Sequence, residues 1–118
     1  MDENPSNNRH DIFTSSKKLV LSCYALTQEL PADEKPNLVF YIRNAALTAH
    51  LSVSQGMFSK KGKAKRKLLL KAKNAYIVID AAVEILVELN LVTERQTVDV
   101  LSLVSTCYSQ TESLLKEN

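Results

Sequence analysis

Residues 62–90 read GKAKRKLLLKAKNAYIVIDAAVEILVELN, and the folding of this stretch decides the architecture. Apolar side chains recur at Leu68 and Leu69, Ala72, Ala75 and Tyr76, Ile79, Ala82 and Val83, Leu86 and Leu89. Steps of three and four put them on one face of an α-helix, because side chains at that spacing lie above one another. The helix is expected to begin between Gly62 and Lys65. It is expected to stop at Asn90, a residue suited to a helix C-terminus.

The same period continues on both sides. Upstream, Ile12, Ser16, Leu19, Cys23, Leu26 and Leu30 alternate steps of four and three, the seam of a helical bundle. Phe13, Val20 and Thr27 widen that seam, and Pro31 is expected to end the helix. Asp33 is the expected N-cap of a second helix, with Pro36 in its first turn, where a missing N–H loses no partner. Its inward face is Leu38, Ile42, Ala45, Ala46, Ala49 and Val53, with small residues dominating the second half as far as Gly56. Downstream, Thr93 and Gln96 have the spacing of a capping box. A fourth helix follows, with Val98, Leu101, Val104, Tyr108 and Leu115 as its expected core face.

The chain has 118 residues, enough for one domain, with only two glycines and three prolines. Sheets need turns, and turns draw on Gly and Pro, so the expected class is all-α. Short connections between four helices predict an antiparallel up-down-up-down four-helix bundle over residues 10–118 behind a flexible polar tail at 1–9. The polar, acidic start has no apolar region of a signal peptide. The most apolar stretch, residues 75–92, holds Asp80, Glu84 and Glu88, so no membrane contact is expected. Cys23 and Cys107 are isolated and read as a reduced cytoplasmic pair serving as small core residues.

Charge is unevenly distributed. Lys60, Lys61, Lys63, Lys65, Arg66, Lys67, Lys71 and Lys73 fall within fourteen residues that contain no acid. Fifteen basic residues less these eight leave seven against thirteen acids, so a +8 segment sits in a chain that is otherwise −6. At roughly 100° per residue, Lys63, Lys67 and Lys71 make one stripe and Arg66 and Lys73 a second, while Lys65 points coreward beyond the end of the packed core. The helix macrodipole favours acids at the N-terminus and bases at the C-terminus by about 0.3–1 kcal/mol each. This helix does the reverse, with cations first and Asp80, Glu84 and Glu88 later. Two accounts fit: the cations meet the phosphates of a polyanion, or they pair with acidic stripes of a neighbouring subunit. The expected phosphate contacts are Lys60, Lys61, Lys63, Arg66, Lys67, Lys71 and Lys73, with Arg43 as a weaker candidate. Aromatics are sparse nearby, so base stacking is not expected to contribute much.

Helices three and four carry more apolar surface than one core requires. Leu70, Ile77, Ala81 and Ile85, with Val100, Leu103, Cys107 and Leu114, lie outside the expected core faces and predict a homo-oligomer interface. Asp80, Glu84 and Glu88 lack the Glu-x-x-His partners of a bundle di-metal centre, and His10 and His50 sit in no such motif. No nucleophile, phosphate-loop or C-x-x-C pattern occurs. Neither catalysis, nor a metal, nor a cofactor is expected.

IRNAA at 42–46, VSQG at 53–56, the basic residues from Lys60 and LNLVTER at 89–95 together resemble a known family. It is the four-helix bundle proteins encoded in intervening sequences of bacterial 23S ribosomal RNA genes. These are similar to the accessory variability proteins of diversity-generating retroelements. The resemblance covers about residues 10–116. His50, Ser52, Gln55 and Ala64 depart from the pattern, where the family often has Pro, Asn, Glu and an acid. It implies an antiparallel bundle assembled into a pentamer-like ring with a basic surface. Through the retroelement relatives it also implies nucleic acid and a reverse transcriptase as partners. The expected function is a non-enzymatic oligomeric nucleic-acid-binding module, with RNA the expected ligand. The alternative is a protein–protein adaptor with no direct nucleic-acid role.

Overall fold

The computed structural model describes residues 5–118, with side chains from Asp11 onward. Four helices are present, and no strand occurs among the described residues: α1 (Pro5–Thr27), α2 (Phe40–Met57), α3 (Lys63–Glu88) and α4 (Val98–Glu117). At about 1.5 Å per residue, α3 alone spans about 39 Å. That nearly matches the 42 Å long dimension of the molecule, so α3 runs its full length. α1 packs on α2 and α4, and α3 packs on α2 and α4.

The expected polar tail falls partly outside the described residues, which begin at residue 5. The backbone is already helical from Pro5. At the other end, α1 stops at Thr27, four residues before Pro31. Leu30 is still buried, carried into the core by the turn, where its N–H donates to Thr27 O at 3.3 Å.

Asp33 does not cap the second helix, contrary to the expectation. A tight turn at Ala32–Glu34 and a wide turn at Lys35–Val39 lead directly into α2, and neither start has a side-chain cap. The Phe40 N–H reaches back five residues to Lys35 O. The inward face of α2 is Ile42, Ala45, Ala46, Ala49, Ser52, Val53 and Gly56, close to the expected set, while Leu38 lies half-buried in the wide turn ahead of the helix. A Cβ built on Gly56 would lie 3.5 Å from Leu69 Cδ2, an ordinary contact.

Helix α3 buries Leu69, Ala72, Ala75, Tyr76, Ile79, Ala82, Val83 and Leu86, close to the predicted face. Leu89 sits on the terminal turn and is exposed instead. Asn90 takes φ 59°, its N–H donates to Val87 O at 2.9 Å, and the Leu91 N–H donates to Leu86 O at 3.0 Å. This pair of bonds closes the last turn of α3 in a Schellman motif. The two capping-box bonds also form, but they open a tight turn at Arg95–Thr97 rather than α4, whose N-cap residue Thr97 makes no side-chain cap bond. Thr93 N–H donates to Gln96 Oε1 at 2.8 Å, and Gln96 N–H donates to Thr93 Oγ1 at 3.2 Å.

Helix α4 is rotated from its expected orientation. Val100, Val104, Cys107, Thr111 and Leu114 are its buried residues, while Val98, expected coreward, is 59 % exposed. Val100, Cys107 and Leu114 are therefore core residues of this chain and leave the predicted oligomer interface. The physical reason is Thr111. Its hydroxyl lies 3.0 Å from the Tyr76 hydroxyl, both in the core, so a polar side chain occupies a seam position with its hydrogen bond satisfied.

That buried pair predicts a non-additive cycle. Tyr76→Phe alone leaves the Thr111 hydroxyl without its Tyr76 partner and should cost about 1–3 kcal/mol. Adding Thr111→Val should recover most of that loss. Urea unfolding of the two single variants and the double variant measures the coupling, and simple additivity would contradict it.

Candidate nucleic-acid interface

The α2–α3 connection brings the basic segment to one end of the molecule. After Met57 the chain turns through Phe58 and Ser59, whose N–H groups donate to Gln55 O and Gly56 O, both at 3.2 Å. Gly62 then takes φ 136°, a left-handed value that favours glycine. Two bonds hold this residue to the end of α4. The Gly62 N–H donates to Asn118 Oδ1, and Asn118 Nδ2 donates to Gly62 O, each at 3.0 Å. This amide clamp fixes the first turn of α3, and no local sequence signal pointed to Asn118. No side chain caps the N-terminus of α3.

Six of the predicted cations, Lys60, Lys61, Lys63, Arg66, Lys67 and Lys71, are exposed, and none has an acidic partner among the described residues. They sit in a longer stretch, residues 35–79, without a single acid. Lys65 is buried at 6 % exposure, so the packed core extends further toward the start of α3 than expected.

Two predicted contacts are spent inside the chain. The Lys73 ammonium pairs with the Glu112 carboxylate at 2.6 Å and lies 4.9 Å from the centre of the Tyr108 ring. The hydrogen bond to Glu112 raises the Lys73 pKa, and the same bond lowers that of Glu112. Arg43 Nε donates to Thr27 Oγ1 at 2.9 Å and Nη2 to Tyr24 O at 3.4 Å, with the guanidinium 4.4 Å over the Tyr24 ring. Arg43 thus ties α2 to the C-terminal turn of α1, where a cation complements the helix dipole. Of the two nearby aromatics, Tyr76 is buried, while Phe58 is 89 % exposed beside Lys60 and Lys61.

On the predicted interface, Leu70, Ile77, Ala81 and Ile85 are exposed on α3, and Leu103 is half-buried. A second apolar surface was missed. Phe40, Tyr41, Leu47 and Leu51 are exposed on α2. That helix carries a single formal charge, Arg43, already engaged with α1. The signal was the Phe40, Leu47, Leu51, Phe58 spacing, a helical stripe opposite the small-residue face.

His50 packs rather than projects. Its ring centre lies 5.1 Å from that of Phe13, and Nδ1 is 2.8 Å from Ser16 Oγ, which donates to Phe13 O. Burial lowers its pKa, and the Lys17 charge adds to that. The folded protein therefore favours the neutral ring. The stability this contributes is present above the ordinary pKa of 6.5 and is lost as pH falls through the lowered value. The unfolding temperature should fall as pH drops from about 6.5 toward the lowered value, and His50→Gln should flatten this part of the profile. An unchanged slope would contradict the assignment.

Cys23 and Cys107 are free and buried, and burial pushes both thiols up to about 12, with the neighbouring Cys107 adding to the effect on Cys23. Both stay protonated and unreactive at neutral pH. Among the described residues no group of three His, Cys, Asp or Glu side chains is placed to hold a metal ion, and no helix is long and apolar enough to cross a membrane. In comparison with known proteins, no family model and no curated protein matches this chain.

Proposed function

We propose that this chain is a non-enzymatic, oligomeric, cytoplasmic module that binds the backbone of RNA or DNA. The observation that carries the reading is the set of six exposed cations, without an acidic partner among the described residues, around the uncapped N-terminus of α3. Lys63, Lys67 and Lys71 form a stripe along α3, and Lys60 and Lys61 precede it in the connection. First-turn N–H groups and the macrodipole add attraction for phosphate oxygens. Phosphate contacts of this kind position a polyanion without reading its sequence.

The bundle is read as antiparallel, up-down-up-down. Thr27 and Ser16 on α1 meet Arg43 and His50 on α2, while Lys73 and Tyr76 on α3, and Gly62 just before it, meet Glu112 and Thr111 on α4 and Asn118 just after it. In each pair, numbers rise along one helix as they fall along the other. Association between copies draws on the exposed Leu70, Ile77, Ala81 and Ile85 and on the exposed face of α2. A pentamer, and a reverse transcriptase as partner, follow from the family resemblance alone.

Titrating a labelled oligonucleotide at several salt concentrations tests the reading. If all six cations engage a duplex, the slope of log affinity against log salt should approach about −5, which is about a thousandfold loss between 50 and 200 mM. No binding at the low-salt end would overturn it. A mass of 13.2 kDa by light scattering at high concentration would remove the oligomer.

The adaptor reading is favoured by the uncharged outer face of α2. Partners that survive nuclease treatment of a lysate would support it over nucleic acid.

A further inference from the structure

Phosphate binding leaves the acids of α3 unexplained. Asp80, Glu84 and Glu88 repeat at i, i+4 and i+8 toward the C-terminal end of the helix, where the dipole and their mutual repulsion both disfavour them. In the structure they edge a groove. Two adjoining hollows, of about 530 and 490 Å³, run between α3 and α4 and share Asp80 and Leu101. Ile77, Val87, Val98, Leu101 and Val104 supply its apolar floor, which is fullest in the hollow beside Glu84 and Glu88, while Ser105, Tyr108 and Ser109 add hydroxyls to the other. Glu94, before α4, joins the three α3 carboxylates on the rim, and no basic residue lines either hollow. The nearest cation along α3, Lys73, is held by Glu112.

We infer that this groove docks a basic amphipathic helix from another protein. An apolar floor with a charged rim matches a helix that presents an apolar stripe flanked by lysines or arginines. From Tyr76 to Glu88 the groove follows about 18 Å of α3, so a helix of about twelve residues covers it. The carboxylates supply register and sign, and the floor supplies the buried area.

Among the described residues, the cationic stripe of a second copy matches this groove poorly. The stripe, Lys63, Lys67 and Lys71, lies on a helix whose apolar face is already packed in the core through Leu69, Ala72 and Tyr76. Between Lys63 and Lys71 the exposed large apolar side chain is Leu70, and Phe58 lies outside the helix, so that stripe would bring cations to the rim and little to the floor.

The test uses the full chain and three labelled synthetic peptides. One has a leucine stripe at helical spacing with lysines elsewhere. The second has the same stripe with glutamates, and the third has the lysine peptide's composition scrambled so that no stripe forms. Fluorescence anisotropy should show the leucine–lysine helix binding at least about tenfold tighter than either of the others. Glu84→Lys with Glu88→Lys should abolish that preference, and Val98→Ser should weaken it. All three side chains are exposed, and circular dichroism checks that the fold is kept. Lys63→Glu with Lys67→Glu should leave it intact, which separates this site from the nucleic-acid surface. Equal binding of the glutamate or scrambled peptide, or undiminished binding to the doubly reversed groove, would overturn the inference. So would light scattering that shows an assembly dissolved by the same two groove substitutions, because a second copy would then be the occupant.

Discussion

Reversing Lys63, Lys67 and Lys71 to Glu is expected to lower oligonucleotide affinity by more than about a thousandfold at 50 mM salt. The salt slope should fall by about three units, one for each lost phosphate contact. Three cations would be replaced by groups that repel the same phosphates, on a stripe with no acidic partner nearby to absorb the change. Stability should move the other way. Acids in the first turns of α3 complement the macrodipole, by about 0.3–1 kcal/mol for a first-turn residue. The expected signature is therefore lost binding with an unchanged or slightly raised unfolding midpoint, which misfolding cannot imitate. Undiminished affinity would end the phosphate reading. Lys73→Glu should behave differently, because it places a carboxylate against Glu112 and disturbs the α3–α4 packing.

Leu114→Ala is expected to cost about 2–5 kcal/mol, whereas Ile85→Ala should cost about 1 kcal/mol or less in the isolated chain. Leu114 is almost fully buried and Ile85 about half exposed, although residue periodicity placed both on an outer surface. A loss of the first size is a large part of the roughly 5–15 kcal/mol that holds a domain together. Urea midpoints at low protein concentration measure both. Comparable losses at the two sites would mean that α4 is oriented as its apolar spacing first suggested. A cost for Ile85→Ala that grows with protein concentration would instead place that residue in an interface between copies.

The helices themselves were legible because their signals are local. In α3, Leu69, Ala72, Tyr76, Ile79, Val83 and Leu86 follow the 3.6-residue period, and all are buried. Asn90 ends α3 as expected. The Thr93–Gln96 bonds form between residues close in the chain, but a tight turn at Arg95–Thr97 separates them from α4, which starts only at Val98. Asp33 failed as a cap because the turn before α2 is a continuous ladder that left no cap position to fill. For α4, hydropathy passed over Thr111 and favoured Val98. Only a tyrosine 35 residues away makes that threonine a core residue.

The candidate site shows the same division. From composition and order alone, the chain established four amphipathic helices, a cationic segment at the start of the third and acids toward its end. Each of those properties depends on neighbours within a turn or two. The tertiary structure decided which cations stay free. Glu112 takes Lys73, Thr27 and Tyr24 take Arg43, and the core takes Lys65, leaving six at one end. It also set the rotation of α4 and, with it, the acid-rimmed groove beside α3. Helical period fixes the angles between side chains on one helix, but the rotation of the whole helix about its axis depends on partners distant in sequence.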